Sequence, residues 1–347
     1  MRKLTLAKSL AVAAAAALAM AMPLQSASAA EGPGAGKTVH MARATWQTGW
    51  FPAEIYRQLL QKLGYTVPTP TTLDNPPFYQ AVGQGDVDFW VNGWFPLHNT
   101  YKKNFEPGAE IIGYVAKGGA LQGYLIDKKT ADKYNIKYLE DFKKPEIDKL
   151  FDSNGDGKAD LVACPPGWGC EVLIGYQMKA FGLEDNINLI KAGYSASMAD
   201  ALGRYQNGKP IFFYTWTPNW TVNLLKPGKD VVWLQTKDIK LPPDQQNLAD
   251  ATIQKNVTGC ADNPCHMGMP GNDIRPVANK EFLKNNPAVK TLLEEVRVPV
   301  ADIFAQNAEM YKGADKPEDL EKQAAAWITA NQQDVDKWLA DARAAAK

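Results

Sequence analysis

The sequence predicts an α/β protein of two lobes, each a mainly parallel sheet flanked by helices, with a ligand cleft between them. Three observations predict it. Apolar runs of strand length alternate with helical periodicity along most of the chain. About 317 residues remain once an export signal is set aside, too many for one small core. Two strand signals, one leading to Trp94 and one to Trp216, each end in Trp-x-Pro at Pro96 and Pro218, as counterparts in two lobes would.

The elements follow in order. Residues 39–44 read as a strand. Residues 53–63 read as a helix, with Ile55, Leu59 and Leu63 on one face and Gly64 as its stop. Residues 65–67 resume a strand. Asn75-Pro76 caps a helix that ends near Gly83, and Gly85-Asp86 turns into the strand that leads to Trp94. Residues 122–127 are a strand and 128–134 a helix. Residues 171–181 form a helix with Gly182 past its end. Ser195 caps 196–206, and Asn207-Gly208 stops it. Residues 211–216 and 231–234 are strands. The chain closes in two helices rich in alanine and charge, at 317–331 and 333–346. The expected lobes are 37–119 with 241–347, and 120–240.

Residues 1–30 read as a cleaved signal peptide. Arg2, Lys3 and Lys8 form its basic region, residues 10–22 are small and apolar, and Ala27-Ser28-Ala29 offers a cleavage site. The apolar run is too short for a membrane span. The mature chain is therefore expected in a periplasm, as a monomer. Lysine plus arginine equals aspartate plus glutamate at 38 each, which argues against nucleic acid or an anionic membrane as partner. Four cysteines in an exported chain imply two disulfides with three possible connectivities, of which Cys164–Cys170 and Cys260–Cys265 is the simplest. The rival is a zinc site from Cys260, Cys265, His266 and His40, against which stands the absence of a CxxC pair.

The stretch Cys164-Pro165-Pro166-Gly167-Trp168-Gly169-Cys170 holds one tryptophan between two glycines in a short loop. With Trp94 and Trp216 at strand ends, where such sheets bind ligands, Trp168 completes an aromatic box. An aromatic box holds a cation that has no hydrogens to donate. The helix after Cys170 begins with amides that have no intrahelical partner; with those of Gly169 and Cys170 they form an anion site. His98 is expected to donate to a ligand carboxylate. Together these describe a zwitterion, a permanent cation between rings and a carboxylate on amides. Trp327 and Trp338 are expected in packing and Trp233 in the core, while Trp90 has no assigned side.

The run Asp152-Ser153-Asn154-Gly155-Asp156-Gly157-Lys158-Ala159-Asp160 matches the first nine positions of a calcium loop. Oxygens of Asp152, Asn154, Asp156 and Asp160 with the Lys158 carbonyl would hold a structural calcium. Its twelfth position is Ala163 in place of the usual glutamate. The competing reading is a solvated Asx-Gly turn. No cofactor is required, and no catalytic motif stands out.

The chain resembles the periplasmic substrate-binding components of ABC importers for glycine betaine and proline betaine. The resemblance runs through 123–132, 150–171, Tyr214-Thr215-Trp216-Thr217-Pro218 and 225–234. It implies a type II periplasmic-binding-protein fold that closes on ligand. It also implies osmoprotectant uptake through membrane permease and ATPase subunits. Trp94, Trp168 and Trp216 match the family's box, His98 its histidine, and Gly169 and Cys170 its backbone donors. Trp46 and Trp50 depart from close relatives; either could extend the box, and packing of the first helix is the favoured expectation. The Cys260–Cys265 segment reads as an addition where the chain returns to the first lobe. Choline, ectoine or another compatible solute is the rival ligand. A secreted carbohydrate-binding module and an exported hydrolase are the rivals from other classes.

Overall fold

The computed structural model describes residues 32–347. The expected signal peptide lies outside them. Two sheets carry the architecture. In the first, strands Phe89–Phe95, Asn272–Asn279 and Ala109–Ile111 lie side by side in that order, and Ala116–Ala120 also pairs with Asn272–Asn279. In the second the order is Val231–Trp233, Gln122–Asp127, Phe212–Trp216, Ala159–Val162, Ile187–Ile190. The chain leaves the first sheet at Ala120 and enters the second at Gln122, and it rejoins the first at Asn272.

Each sheet is mixed, with one strand running against the rest. Gln122–Asp127 is antiparallel to both its neighbours while Phe212–Trp216, Ala159–Val162 and Ile187–Ile190 pair in parallel, and every ladder on Asn272–Asn279 is antiparallel. The reason lies in the crossings. Strands that end at the cleft carry Trp94 and Trp216. A strand that enters from the other lobe must start at the cleft and run away from it. Hence Gln122 pairs with Trp216 and Asp273 with Phe95, each at opposite ends of its strand.

Local elements follow the sequence closely where turns are strong. Helix Asn75–Gln84 carries prolines in its first turn, and Gly85 stops it at φ 87°. Asn75 is its first helical residue and not its cap; its amide is drawn to His98 instead. Ser195 is likewise inside helix Tyr194–Gln206, whose cap position is Gly193. The helix starts two residues earlier than expected, and its Tyr194 hydroxyl bonds to the Tyr214 carbonyl at 3.0 Å. Residues 65–67 make only a bridge through Thr66 to Thr38, and the strand role passes to Thr71–Leu73 beyond the intervening prolines.

Strand Asn272–Asn279 is the centre of the first sheet, yet its sequence hides it. Pro276 interrupts an otherwise alternating run, and a central strand rarely tolerates proline. The ladder to Phe89–Phe95 shifts register between Arg275 and Val277, which removes the need for an N–H at Pro276. The Pro276 carbonyl still accepts the Ile112 N–H at 3.1 Å.

Each sheet faces its own aromatic core. Trp90 is fully buried and stacks on Phe78 at 3.8 Å, and Phe142 stacks on Phe212 at 4.4 Å. Trp233 is buried in its strand, and Trp327 stacks on Trp338 at 6.4 Å, as packing residues do. Both local disulfides are formed, with Cα separations of 5.9 Å for Cys164–Cys170 and 6.0 Å for Cys260–Cys265, so no free thiol is left for zinc among the described residues. The second disulfide loop braces the edge of the second sheet. The Trp233 N–H donates to the Gly259 carbonyl at 3.0 Å and the Thr236 N–H to that of His266 at 2.9 Å.

Phe212→Ala removes a fully buried ring between Phe142 and Phe151, so it is expected to cost about 3–5 kcal/mol. Urea unfolding reads this directly; a loss under about 1 kcal/mol would mean that the neighbours close the gap.

Candidate functional site

The ends of strands Phe89–Phe95 and Phe212–Trp216 face one another across a cavity. Trp94, Trp168 and Trp216 all line it, as do His98, Gly169 and Cys170. Residues separated by as much as 122 positions in sequence therefore meet in one wall.

Buried indoles need acceptors for their N–H groups, and each ring here has one. Trp94 Nε1 donates to Asn92 Oδ1 at 3.1 Å, two residues back along its own strand. Trp168 Nε1 donates to Thr45 Oγ1 at 2.9 Å, and Trp216 Nε1 to Thr48 Oγ1 at 3.0 Å. The last two bonds tie rings of the second lobe to a loop of the first. The Asn75 N–H adds a third tie, to the Gly167 carbonyl at 3.2 Å. The lobes are thus closed around the cavity.

The structure also decides between the roles open to Trp46 and brings in residues that the sequence did not single out. Trp46 lines the cavity and does not merely pack the first helix. Its Nε1 shares Asn92 Oδ1 at 2.6 Å, and its ring meets Trp168 edge-on at 5.5 Å. Trp168 in turn meets Trp216 at 5.4 Å and 82°. Successive edge-on rings enclose a space, whereas a platform would lay them flat. Trp50 does pack as expected, donating to the Ala44 carbonyl at 2.8 Å beneath the Arg43 guanidinium. Gln122 and Tyr214 complete the wall from strands of the second sheet. The signal that could have found Gln122 is its place beside Trp216 in the ladder, which sequence alone does not give.

The anion end is built on helix Gly169–Ala180, which starts two residues earlier than expected. Gly169 and Cys170 are therefore its first two residues, with amides that precede the intrahelical ladder. The Glu171 N–H is already turned to the Trp168 carbonyl at 3.2 Å. A Cβ at Gly169 would lie 2.9 Å from His98 Cδ2 and 3.0 Å from its Nε2, so glycine is required where these elements touch. The helix start adds roughly half a positive charge at the same point.

His98 is 2 % exposed. Burial drives its imidazole from 6.5 down to about 3, so the ring is neutral at ordinary pH. Its Nδ1 accepts the Trp94 N–H at 3.1 Å and lies 2.7 Å from the Tyr79 hydroxyl. The single ring proton thus belongs on Nε2, and the Asn75 amide 3.0 Å away pairs with it by turning its oxygen, which otherwise has no partner, to the ring beside the Gly169 backbone.

In the loop expected to hold calcium, the acceptors are turned to the loop's own amides. Asp152 accepts from the N–H groups of Gly155 and Gly157, Asn154 from Asp156, and Asp156 from Lys158. Asp160 accepts from Ser153. Among the described residues no group of three or more His, Cys, Asp or Glu side chains is arranged to hold a metal ion.

The family described as the substrate binding domain of ABC-type glycine betaine transport systems matches residues 37–330. The glycine betaine-binding periplasmic protein OusX of Dickeya dadantii is 42% identical over 315 residues, covering 90% of this chain and 92% of that protein. The glycine betaine/proline betaine-binding periplasmic protein of Escherichia coli is 43% identical over 321 residues, with the same coverage of 90% and 92%. Lactococcal OpuAC in its closed form with glycine betaine superposes with a TM-score of 0.64 at 21% identity, covering 87% of this chain and 99% of that one. That likeness fixes the fold as the two-lobed type II binding-protein fold.

Because native His98 resists protonation down to about pH 3 while the unfolded residue takes a proton near 6.5, its contribution favours the unfolded state increasingly as pH falls through that window. Stability should decline by up to about 1.4 kcal/mol per pH unit from this residue. Urea unfolding at pH 7, 6 and 5 for wild type and His98→Gln checks it: the variant is expected to lose that part of the slope, and equal slopes would refute it.

Proposed function

We propose, from the premise that this chain belongs to the family of substrate-binding domains of ABC-type glycine betaine transport systems, that it captures glycine betaine or proline betaine in the tryptophan cavity. It then delivers the ligand to the permease and ATPase subunits of an importer, in support of osmoprotection. It works in the periplasm, as a monomer and without catalysis.

One observation carries the reading. The cavity is lined by four indoles together with the start of helix Gly169–Ala180. A quaternary ammonium offers no hydrogen-bond donors, so only π faces select it. Contacts to Trp46, Trp94, Trp168 and Trp216 at about 0.5–2 kcal/mol each, with charge-assisted bonds to the carboxylate, reach micromolar affinity near about −8 kcal/mol. Among the described residues that line the cavity none is an aspartate or glutamate. A lone cation such as choline would find no counter-charge there, whereas a zwitterion brings its own. That observation favours betaines over choline.

Closure has a direct cause in this reading. Ligand touches both lobes only when they meet, so it stabilises the closed form by those extra contacts. The docked species is then the closed form. The calcium-like loop serves as a self-satisfied turn leading into the Cys164–Cys170 loop, and the reading needs no metal.

Trp168→Ala and Trp216→Ala are each expected to weaken glycine betaine binding at least ~10-fold in fluorescence titration; unchanged affinity in both would sink the box. Choline and betaines but not glucose should compete for the site, and displacement by glucose would support a carbohydrate-binding module instead. Millimolar calcium added to EDTA-treated protein is expected to leave its melting temperature unchanged. A clear rise would restore the metal loop.

A further inference from the structure

Gln122 is 1 % exposed and lines the cavity. The Tyr214 hydroxyl donates to its Oε1 at 2.9 Å. With its oxygen on the phenol, the amide turns its nitrogen away from Tyr214. Gln122 Nε2 is left buried with no partner among the described residues. A buried amide N–H without an acceptor is unfavourable, and a native protein keeps one for a reason. Here the open space in front of it is the ligand cavity.

The fold also says which end of the cavity it serves. Gln122 opens strand Gln122–Asp127, and two residues on, Tyr124 stands on the same face of the sheet. The Tyr124 hydroxyl donates to Gln177 Oε1 at 2.7 Å, on helix Gly169–Ala180. Strand and helix both start at the cleft, so they run away from it together. Two residues back from Tyr124 is Gln122. Two turns back from Gln177 on the same helix face is Cys170. The two elements therefore bring Gln122 Nε2 to the end of the cavity where the Gly169 and Cys170 amides point.

Resting on the betaine reading above, we propose that Gln122 is a specificity-determining residue: its Nε2 donates a further hydrogen bond to the ligand carboxylate, with Tyr214 as the residue that positions it. A carboxylate presents two oxygens with about four lone-pair directions. Two backbone amides leave room for such a donor. Choline has one neutral hydroxyl oxygen and gains far less from it. The side chain thus contributes to selection of a zwitterion over a simple cation.

The test is titration calorimetry of glycine betaine and choline against wild type, Gln122→Met and Gln122→Glu, with thermal unfolding to confirm that each is folded. Gln122→Met removes the donor at similar length. It is expected to weaken glycine betaine about 10-fold while choline changes less than about 3-fold. Gln122→Glu keeps an acceptor for Tyr214 but sets a negative charge against the carboxylate. It should weaken glycine betaine about 100-fold and bind choline more tightly than wild type. If Gln122→Met does not fold, Gln122→Glu decides alone. A betaine-to-choline preference equal to that of wild type in the folded variants would overturn the role of Gln122. Wild-type protein that binds neither compound would overturn the betaine reading itself.

Discussion

The structure turns on the need of four indoles, three buried and Trp168 half-buried, for hydrogen-bond acceptors. A tryptophan ring placed in a dry wall still carries one N–H, and leaving it unpaired costs about 1–3 kcal/mol. Here Asn92 accepts from both Trp46 and Trp94, while Thr45 and Thr48 accept from Trp168 and Trp216. Each bond fixes a ring plane. The second pair also spans the lobes, so those two bonds form only when the cleft is shut. The same four bonds thus set the cavity's shape and tie it to closure.

The polar end answers a different constraint. Burial keeps His98 neutral, so no cationic side chain meets a ligand's negative charge. Backbone amides at a helix start do so, without the desolvation cost of a buried lysine or arginine. This explains why glycine stands at position 169, where a Cβ would press on the histidine. It also gives the Cys164–Cys170 disulfide a place in the design. The bridge closes the loop that carries both the Trp168 ring and the two amides, so the spacing between the two ends of the cavity is set within one short segment.

Legibility in the sequence followed how local each signal was. Gly85 and Gly182 in left-handed turns and the prolines at Asn75–Gln84 marked element ends well. Strand Gln122–Asp127 and helix Lys128–Tyr134 fell on their expected residues. Asn272–Asn279 did not, because Pro276 breaks its pattern and only the register shift beside it makes room. Strand direction was invisible too. Alternation of β and α signals carries no record of where a chain crosses between lobes, and the crossings created the antiparallel ladders.

The sequence by itself determined the two-lobed α/β class, the local disulfides, and the staged tryptophans at 94, 168 and 216 with the histidine and amides beside them. These are properties of short segments: a ring between glycines, a ring at a strand's end, a helix start after a cysteine. Only the tertiary structure decided that Trp46 joins the wall while Trp50 packs, that Asn92, Thr45 and Thr48 hold the rings, and that Gln122 and Tyr214 face the cavity. Those roles depend on which side chains meet across sheets and lobes, and distance along the chain does not encode that.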